Sequence, residues 1–375
     1  MQAVNRRDWL RLMGLAGAAT AITNVPGLGR SVSEVLPYPS RLILPGQAVR
    51  LSSNENPYGP SKMVRDAMVR AFDDSCRYTF SYTREITEMI ARKEGVSKEH
   101  IVLTAGSTEG LKVAGLTFGL HGGEIVSADP TFQSLMTYAE PFGATIHWVP
   151  VDKNGGHDLP AMEKRVNGNT RLVFVCNPNN PTGTLLSAAQ MRDFCKSMAG
   201  RAIVFADEAY FDYITEPGYP SMVELVKQEY NVIVSRTFSK VYGLAGVRIG
   251  YLIARPDIAR RLNAATMANL NMLGIFAAKA ALEDQEFYRF SLQKNEEAKN
   301  YLYGLLKSMN LNYIPSHANF VFFETGQEIS TFQAAMLKEN IQVGRPFPPM
   351  TKWCRVSTGT MEEMQAFGTA LKKVV

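Results

Sequence analysis

Residues 100–120 read HIVLTAGSTEGLKVAGLTFGL. HIVLTAG (100–106) reads as a strand. STEGLKVAGLTFGL (107–120) reads as a helix opened by a capping pattern, with Ser107 and Thr108 ahead of an apolar periodicity. The same unit recurs downstream. EIVSADP (124–130), TIHWVPV (145–151), RLVFVCNPNNPTG (171–183), AIVFADEAY (202–210) and NVIVSRTF (231–238) are apolar strands ending in turns, and helical stretches such as AAQMRDFCKSMA (188–199) separate them. Apolar strand, turn and amphipathic helix in alternation describe an α/β protein whose mostly parallel sheet is flanked by helices on both faces.

Outward from this core the texture changes. Residues 35–60 form an extended arm, LPYPSRLILPGQAVRLSSNENPYGPS, in which prolines exclude regular helix. SKMVRDAMVRAF (61–72) and ITEMIARKEGV (86–96) have helical spacing. Beyond about residue 270, longer helices (275–309) precede ANFVFFE, QAAMLKENIQV and CRVSTGT, a smaller α+β domain. The expected division is a leading segment 1–30, an arm 31–60 that goes with the small domain, a large domain 61–270 and a small domain 271–375.

The chain has 375 residues, long enough for two domains, with 46% hydrophobic and 20% charged residues and a net charge of +5. No Lys/Arg tract is interleaved with aromatics, so nucleic acid is not an expected partner. Cys76, Cys176, Cys195 and Cys354 are widely spaced, which implies neither a zinc site nor a disulfide framework. At the N-terminus, NRRDWLRLMGLAGAATAI sets Arg6-Arg7 ahead of a weakly apolar Gly/Ala stretch. That stretch is too short to span a bilayer as a free helix, so no stable membrane insertion is expected. It looks like a twin-arginine export signal, and a periplasmic or exported location follows, with the cytoplasm as the alternative.

Ligands of open α/β sheets sit beyond the C-terminal strand ends, and four such ends carry polar residues. Gly106-Ser107-Thr108 offers backbone N–H groups and two hydroxyls at a helix start, a phosphate site. NPNNPTG (177–183) turns sharply after a buried strand and aims Asn180 at the cleft. DEAY (207–210) places Asp207 at the end of an apolar strand, costly unless the carboxylate meets a cation or donor, with Tyr210 as a hydroxyl donor. SRTFSKVYGLAGVRIGY (235–251) delivers Lys240, an amine able to bond an aldehyde, with Arg248 nearby as a second cation and phosphate binder. A phosphate cradle, an acid for a ring nitrogen, donors for a ring oxygen and an amine for an aldehyde match pyridoxal 5′-phosphate.

With NENPYG, the RY pair at 77–78, GSTEG, DPTF, NPNNPTG, DEAY, RTFSK, GLAGVRIGY, ANF and CRVSTGT in order, the sequence resembles the fold-type I, class I/II aminotransferases, on their histidinol-phosphate aminotransferase branch. The resemblance runs from about residue 35 to the C-terminus. It implies a homodimer that moves an amino group between a small-molecule amino donor and a 2-oxo acid by a ping-pong Schiff-base mechanism. By the resemblance, Lys240 bonds the cofactor aldehyde and moves the proton, and Asp207 partners the ring nitrogen. Tyr210 and Asn180 bond the ring hydroxyl, Phe132 stacks on the ring, and Ser107, Thr108, Thr237, Ser239 and Arg248 contact the phosphate. Tyr78 reaches the phosphate of the neighbouring subunit. Arg355 clamps the substrate carboxylate, Asn54 lines the entrance, and Arg345 and Tyr38 lie where the branch meets the substrate's distal group. VGRPFPPMTKW (343–353) is Pro-rich and shortened, so Arg345 either keeps that role or stands in a loop rebuilt for another side chain. Two alternatives stand beside transamination. One is another pyridoxal-phosphate reaction on the same fold (decarboxylase, racemase, lyase or oxidase). The other is a binding protein, against which the intact Lys240 argues.

Overall fold

The computed structural model describes residues 47–267 and 269–375. The paired arginines and Tyr38 lie outside the described residues. The arm carries a short strand, β1 (Val49–Leu51). The large sheet follows with β2 (Ile101–Thr104), β3 (Glu124–Asp129), β4 (Thr145–Pro150), β5 (Thr170–Cys176), β6 (Ile203–Asp207), β7 (Val232–Thr237) and β8 (Gly250–Ala254). Its order is β2-β8-β7-β6-β5-β3-β4, with β8 antiparallel to both neighbours and the other pairings parallel.

The central strands are apolar at nearly every position because helices cover both faces, and their side chains divide with period two. Val173 and Val175 of β5, Val204 and Ala206 of β6, and Val232 and Val234 of β7 enter one core. Leu172, Phe174 and Cys176, Phe205, and Ile233 enter the other, with Leu111 and Ala114 from the helix Ser107–Gly119. β5, β6 and β7 lie in register, Cys176 beside Asp207 and Asp207 beside Ser235, so their C-terminal ends form one polar rim.

A third core holds β9 (Tyr313–Ile314), β10 (Phe320–Glu324), β11 (Ile341–Val343) and β12 (Trp353–Ser357). β12, β10 and β9 make an antiparallel sheet, and β1 pairs in parallel with β11, Val49 beside Ile341. The helix Met272–Glu283 buries Ile275, Ala277, Ala278 and Ala281 in the core of the large sheet. Tyr288 and Leu292 of the next helix, which the Asp284 side chain caps, still pack against that core, and Ala298 and Leu302 of the same helix enter the third core.

Two local readings change. The helix expected from residue 86 begins at Phe80, because Phe80, Ser81, Arg84 and Glu85 face solvent and carry no apolar period; Ile86 is its first buried residue. The helix at Ser107 has Gly106 as its N-cap (φ +80°) and no side-chain cap. Among the described residues no helix is long and apolar enough to cross a membrane.

The arm meets the segment after Lys240 through two glycines. A Cβ on Gly243 (φ +69°) would lie 2.5 Å from the Gly59 Cα, whereas one on Gly246 would meet open space. Gly243→Ala is expected to destabilise the fold by about 2–4 kcal/mol through overpacking and left-handed strain, and Gly246→Ala to be neutral or mildly stabilising. Urea midpoints of the two variants test this.

Candidate active site

The polar rim of the large sheet collects most of the residues singled out in the sequence. Asp207 ends β6 only 2% exposed, and among the described residues its Oδ1 has no hydrogen-bond partner. Burial raises its carboxyl to about 7, against backbone donation from Ala209 and the Lys240 charge. Three residues on, Tyr210 is buried edge-on to Phe320, ring centroids 5.2 Å apart. Its hydroxyl accepts from Asn54 Nδ2 at 2.9 Å and Asn180 Nδ2 at 3.3 Å. Burial holds this phenol well above its usual range.

Lys240, just past β7, donates from Nζ to the Asn54 carbonyl at 3.0 Å and lies 5.5 Å from the centre of the Tyr210 ring. Burial and the Arg355 charge, opposed by Glu55 and Asp207, bring its amine down to about 8. Arg355, on β12, donates from Nη1 to Asn180 Oδ1 at 2.6 Å and from Nη2 to the Ser52 carbonyl at 2.7 Å. Its Nε is buried and has no partner among the described residues. Burial lowers this guanidinium, which remains charged at neutral pH. Asp207, Tyr210, Lys240, Asn180, Asn54 and Arg355 thus come from three strand ends, the middle of β12 and the arm into one cluster.

A second group adjoins it. Arg248, itself at φ +62°, donates to Ser239 Oγ at 3.5 Å and to the carbonyls of Ala245 (2.8 Å) and Ala105 (3.4 Å). Its guanidinium lies against Gly106, where a side chain on that glycine would collide with it. The Thr237 hydroxyl donates to Ser239 Oγ at 2.9 Å. Gly250 lets the helix start pack onto β8, since a Cβ there would meet Ser107 N at 2.8 Å. An uncapped helix N-terminus with Ser107 and Thr108 in its first turn, a guanidinium and two hydroxyls make an anion site.

Three other predicted residues make no hydrogen bond to this cluster. Phe132 is partly buried against the core under the helix Ser107–Gly119. Tyr78 is 79% exposed and stacks on Phe80. Arg345 is exposed, bonds the Pro346 carbonyl and lies 4.3 Å from the centre of the Phe347 ring, which Arg355 approaches at 5.0 Å.

Sequence reasoning passed over two supports. Arg236 pairs with Glu208 at 2.9 Å, both buried. Glu208 also accepts from the Ser221 hydroxyl and the Met222 N–H, and Arg236 lies over Phe211. A second acid directly after Asp207, and a cation within the β7 run, were the available signals. Ser357, bonded twice to Asn54, was hidden inside CRVSTGT.

An acid whose folded-state pKa is raised weakens the fold as pH climbs from its unfolded value to the folded one. The Asp207 contribution to the stability of the cofactor-free protein is therefore expected to decline between about pH 4 and 7, by at most about 4 kcal/mol. Asp207→Asn is expected to exceed the parent in stability at pH 8 and to lose much of that advantage at pH 5. Urea unfolding of both proteins at the two pH values checks it; an equal gap would place the Asp207 carboxyl in its ordinary range.

The description of the family Aminotransferase class I and II matches residues 47–371. A histidinol-phosphate aminotransferase of Moorella thermoacetica is 37% identical over 371 residues, 96% of either chain. The crystal structure of a putative histidinol-phosphate aminotransferase from Erwinia carotovora atroseptica superposes with a TM-score of 0.84 at 29% identity, covering 87% of this chain and 95% of that one. Histidinol-phosphate aminotransferase from Sinorhizobium meliloti in complex with pyridoxal-5′-phosphate superposes with a TM-score of 0.80 at 26% identity, over 88% and 91% of the two chains. The rim that holds Lys240 and Asp207 thus stands in a fold-type I enzyme: this chain belongs to the class I and II aminotransferases and is a transaminase that works with pyridoxal 5′-phosphate.

Proposed function

We propose that the enzyme transfers an amino group between a donor carrying two separated anionic or polar ends, of the histidinol-phosphate or amino-acid type, and a 2-oxo acid. The observation that carries this reading is the pair of guanidiniums at one ring. Arg355 and Arg345 lie 5.0 and 4.3 Å from the centre of Phe347, and Arg355 keeps a buried donor, Nε, without a partner. A planar fork suits a carboxylate or a phosphate, so Arg355 takes the α-carboxylate of an amino acid or 2-oxo acid, the place that a histidinol-phosphate-type donor fills with its phosphate, and Arg345 takes a distal anion. Relatives named histidinol-phosphate aminotransferase support this substrate class.

The residues present fit the cofactor. The unpaired Asp207 Oδ1 suits a ring N–H, the Tyr210 hydroxyl and Asn180 amide suit a ring oxygen, and the anion site at Gly106 suits a phosphate held by Ser107, Thr108, Thr237, Ser239 and Arg248. Phe132 would cover the ring. When bound, pyridoxal phosphate supplies an aldehyde for amino groups and a protonated ring that accepts the electron pair left by a departing α-proton. Lys240 is the group that takes and returns that proton. An amine near 8 holds a useful fraction of free base at neutral pH and still returns the proton as an ammonium. Asp207 keeps the ring nitrogen protonated by its charge, and the buried walls around Tyr210 and Phe320 exclude water.

Val69, Phe72, Tyr78 and Phe80 expose their apolar side chains along one stretch of chain, which supports a homodimer with Tyr78 reaching the partner's phosphate site. Export by the twin-arginine route is proposed from Arg6-Arg7 and the Gly/Ala stretch, since that route accepts folded, cofactor-loaded cargo.

Purified protein is expected to absorb in the visible, to be bleached by a productive donor from a panel of amino acids and histidinol phosphate, and to recover with a 2-oxo acid. A visible band that no donor bleaches, with carbon dioxide released from the donor, would replace transamination by decarboxylation. Lys240→Ala is expected to abolish the visible band and multiple turnover while the dimer survives in sedimentation; sustained turnover would remove Lys240 from its role. For export, cell fractionation of the full chain and of an Arg6→Lys/Arg7→Lys variant is expected to find only the former outside the cytoplasm, and identical distributions would refute the signal.

A further inference from the structure

Asn54 is 1% exposed and has a backbone φ of +52°. Asparagine enters this left-handed region more readily than most residues, but such a conformation persists only where its surroundings hold it. Ser357 holds it twice. The Asn54 N–H donates to Ser357 Oγ at 2.7 Å, and the Ser357 hydroxyl donates to Asn54 Oδ1 at 2.9 Å. With backbone and side chain both fixed, the two remaining polar groups of Asn54 have set directions. Its carbonyl accepts from Lys240 Nζ at 3.0 Å, and its Nδ2 donates to the Tyr210 hydroxyl at 2.9 Å.

Ser357 and Arg355 are alternate residues of β12 and so share one face of the strand. Both bind the arm, Arg355 at the Ser52 carbonyl and Ser357 at Asn54. One strand thus carries the guanidinium assigned to the substrate carboxylate and the hydroxyl that fixes the acceptor of the lysine amine.

We propose that Ser357 is a positioning residue for Lys240: its hydroxyl locks Asn54 so that the Asn54 carbonyl receives the lysine amine whenever that amine is not bonded elsewhere, tying the proton-moving group to the strand of Arg355. This rests on the reading of Lys240 given above. Ser357 touches no reacting atom; it acts through Asn54. Loss of the lock frees the Asn54 carbonyl to turn away. The ammonium form of Lys240 then loses an acceptor while Arg355, Glu55, Asp207, Arg248 and the Tyr210 ring still face it.

The test uses Ser357→Ala, which removes one oxygen, and Ser357→Thr, which keeps the hydroxyl. The first readout is the pH midpoint for acylation of Lys240 in cofactor-free protein by an amine-directed reagent, followed by peptide mass spectrometry. The midpoint is expected near 8 in the parent, lower by about half a unit in Ser357→Ala, and restored in Ser357→Thr. In the loaded enzyme, kcat is expected to fall about threefold to tenfold in Ser357→Ala, the range for one net hydrogen bond, with KM for the donor nearly unchanged and the visible band retained. A parent midpoint and parent kcat in Ser357→Ala, accompanied only by a lower melting temperature, would overturn the assignment, as would Ser357→Thr behaving like Ser357→Ala. Absence of the visible band in the parent as well would overturn the reading of Lys240, and this inference with it.

Discussion

A carboxylate sealed at the end of an apolar strand is the constraint around which the rim is arranged. Asp207 follows four residues of β6 that the two cores enclose, and no side chain of the described residues pairs with its Oδ1. Burial in so apolar a setting opposes ionisation and lifts the group to about 7. The cost is tolerable only if the site regularly holds a cationic partner there. The neighbouring residues are disposed accordingly: Lys240 and Arg355 contribute positive charge, and Tyr210 faces the same space without ionising.

Holding such a group in place requires rigid supports. Directly behind it, Glu208 and Arg236 form a buried pair joined to Ser221, Met222 and Phe211. Glu208 is the chain neighbour of Asp207, and Arg236 precedes Thr237 on β7. The pair therefore joins the strand end of the acid to the strand end that leads to the lysine. A buried ion pair adds little net stability over a well-packed apolar substitute, but losing one partner leaves the other charge stranded at a cost of about 3–5 kcal/mol. Such a pair resists slippage between β6 and β7 more than it strengthens the fold.

The rhythm of strand and helix made the large sheet and its polar strand ends readable, because burial on both faces writes itself as nearly continuous apolar runs in β5, β6 and β7. Asp207, Asn180 and Lys240 stood out for the same reason, as polar residues where such runs stop, and Arg248 as a second cation close to Lys240 in sequence. Contacts distant in sequence were not readable. Nothing in SSNENPYG says that Asn54 is left-handed, or that its partner is Ser357, 303 residues away. The reversed direction of β8 was invisible too, because an antiparallel strand within a covered sheet is as apolar as a parallel one. The start of the helix at Phe80 was missed because its first turn faces solvent, and the place of Met272–Glu283 in the larger core because a helix rich in alanine suits either core.

The bonds between Asn54 and Ser357 also fix when in the life of the chain the site is finished. At roughly 5–20 residues per second, translation takes about 15–60 s to pass from the first residue to the second. The arm must wait through that interval with nothing to hold Asn54 in its left-handed conformation. The central strands can pair well before then, so a nascent sheet exists before it has a working rim, and cofactor capture by the completed pocket belongs to the moments after β12 leaves the ribosome.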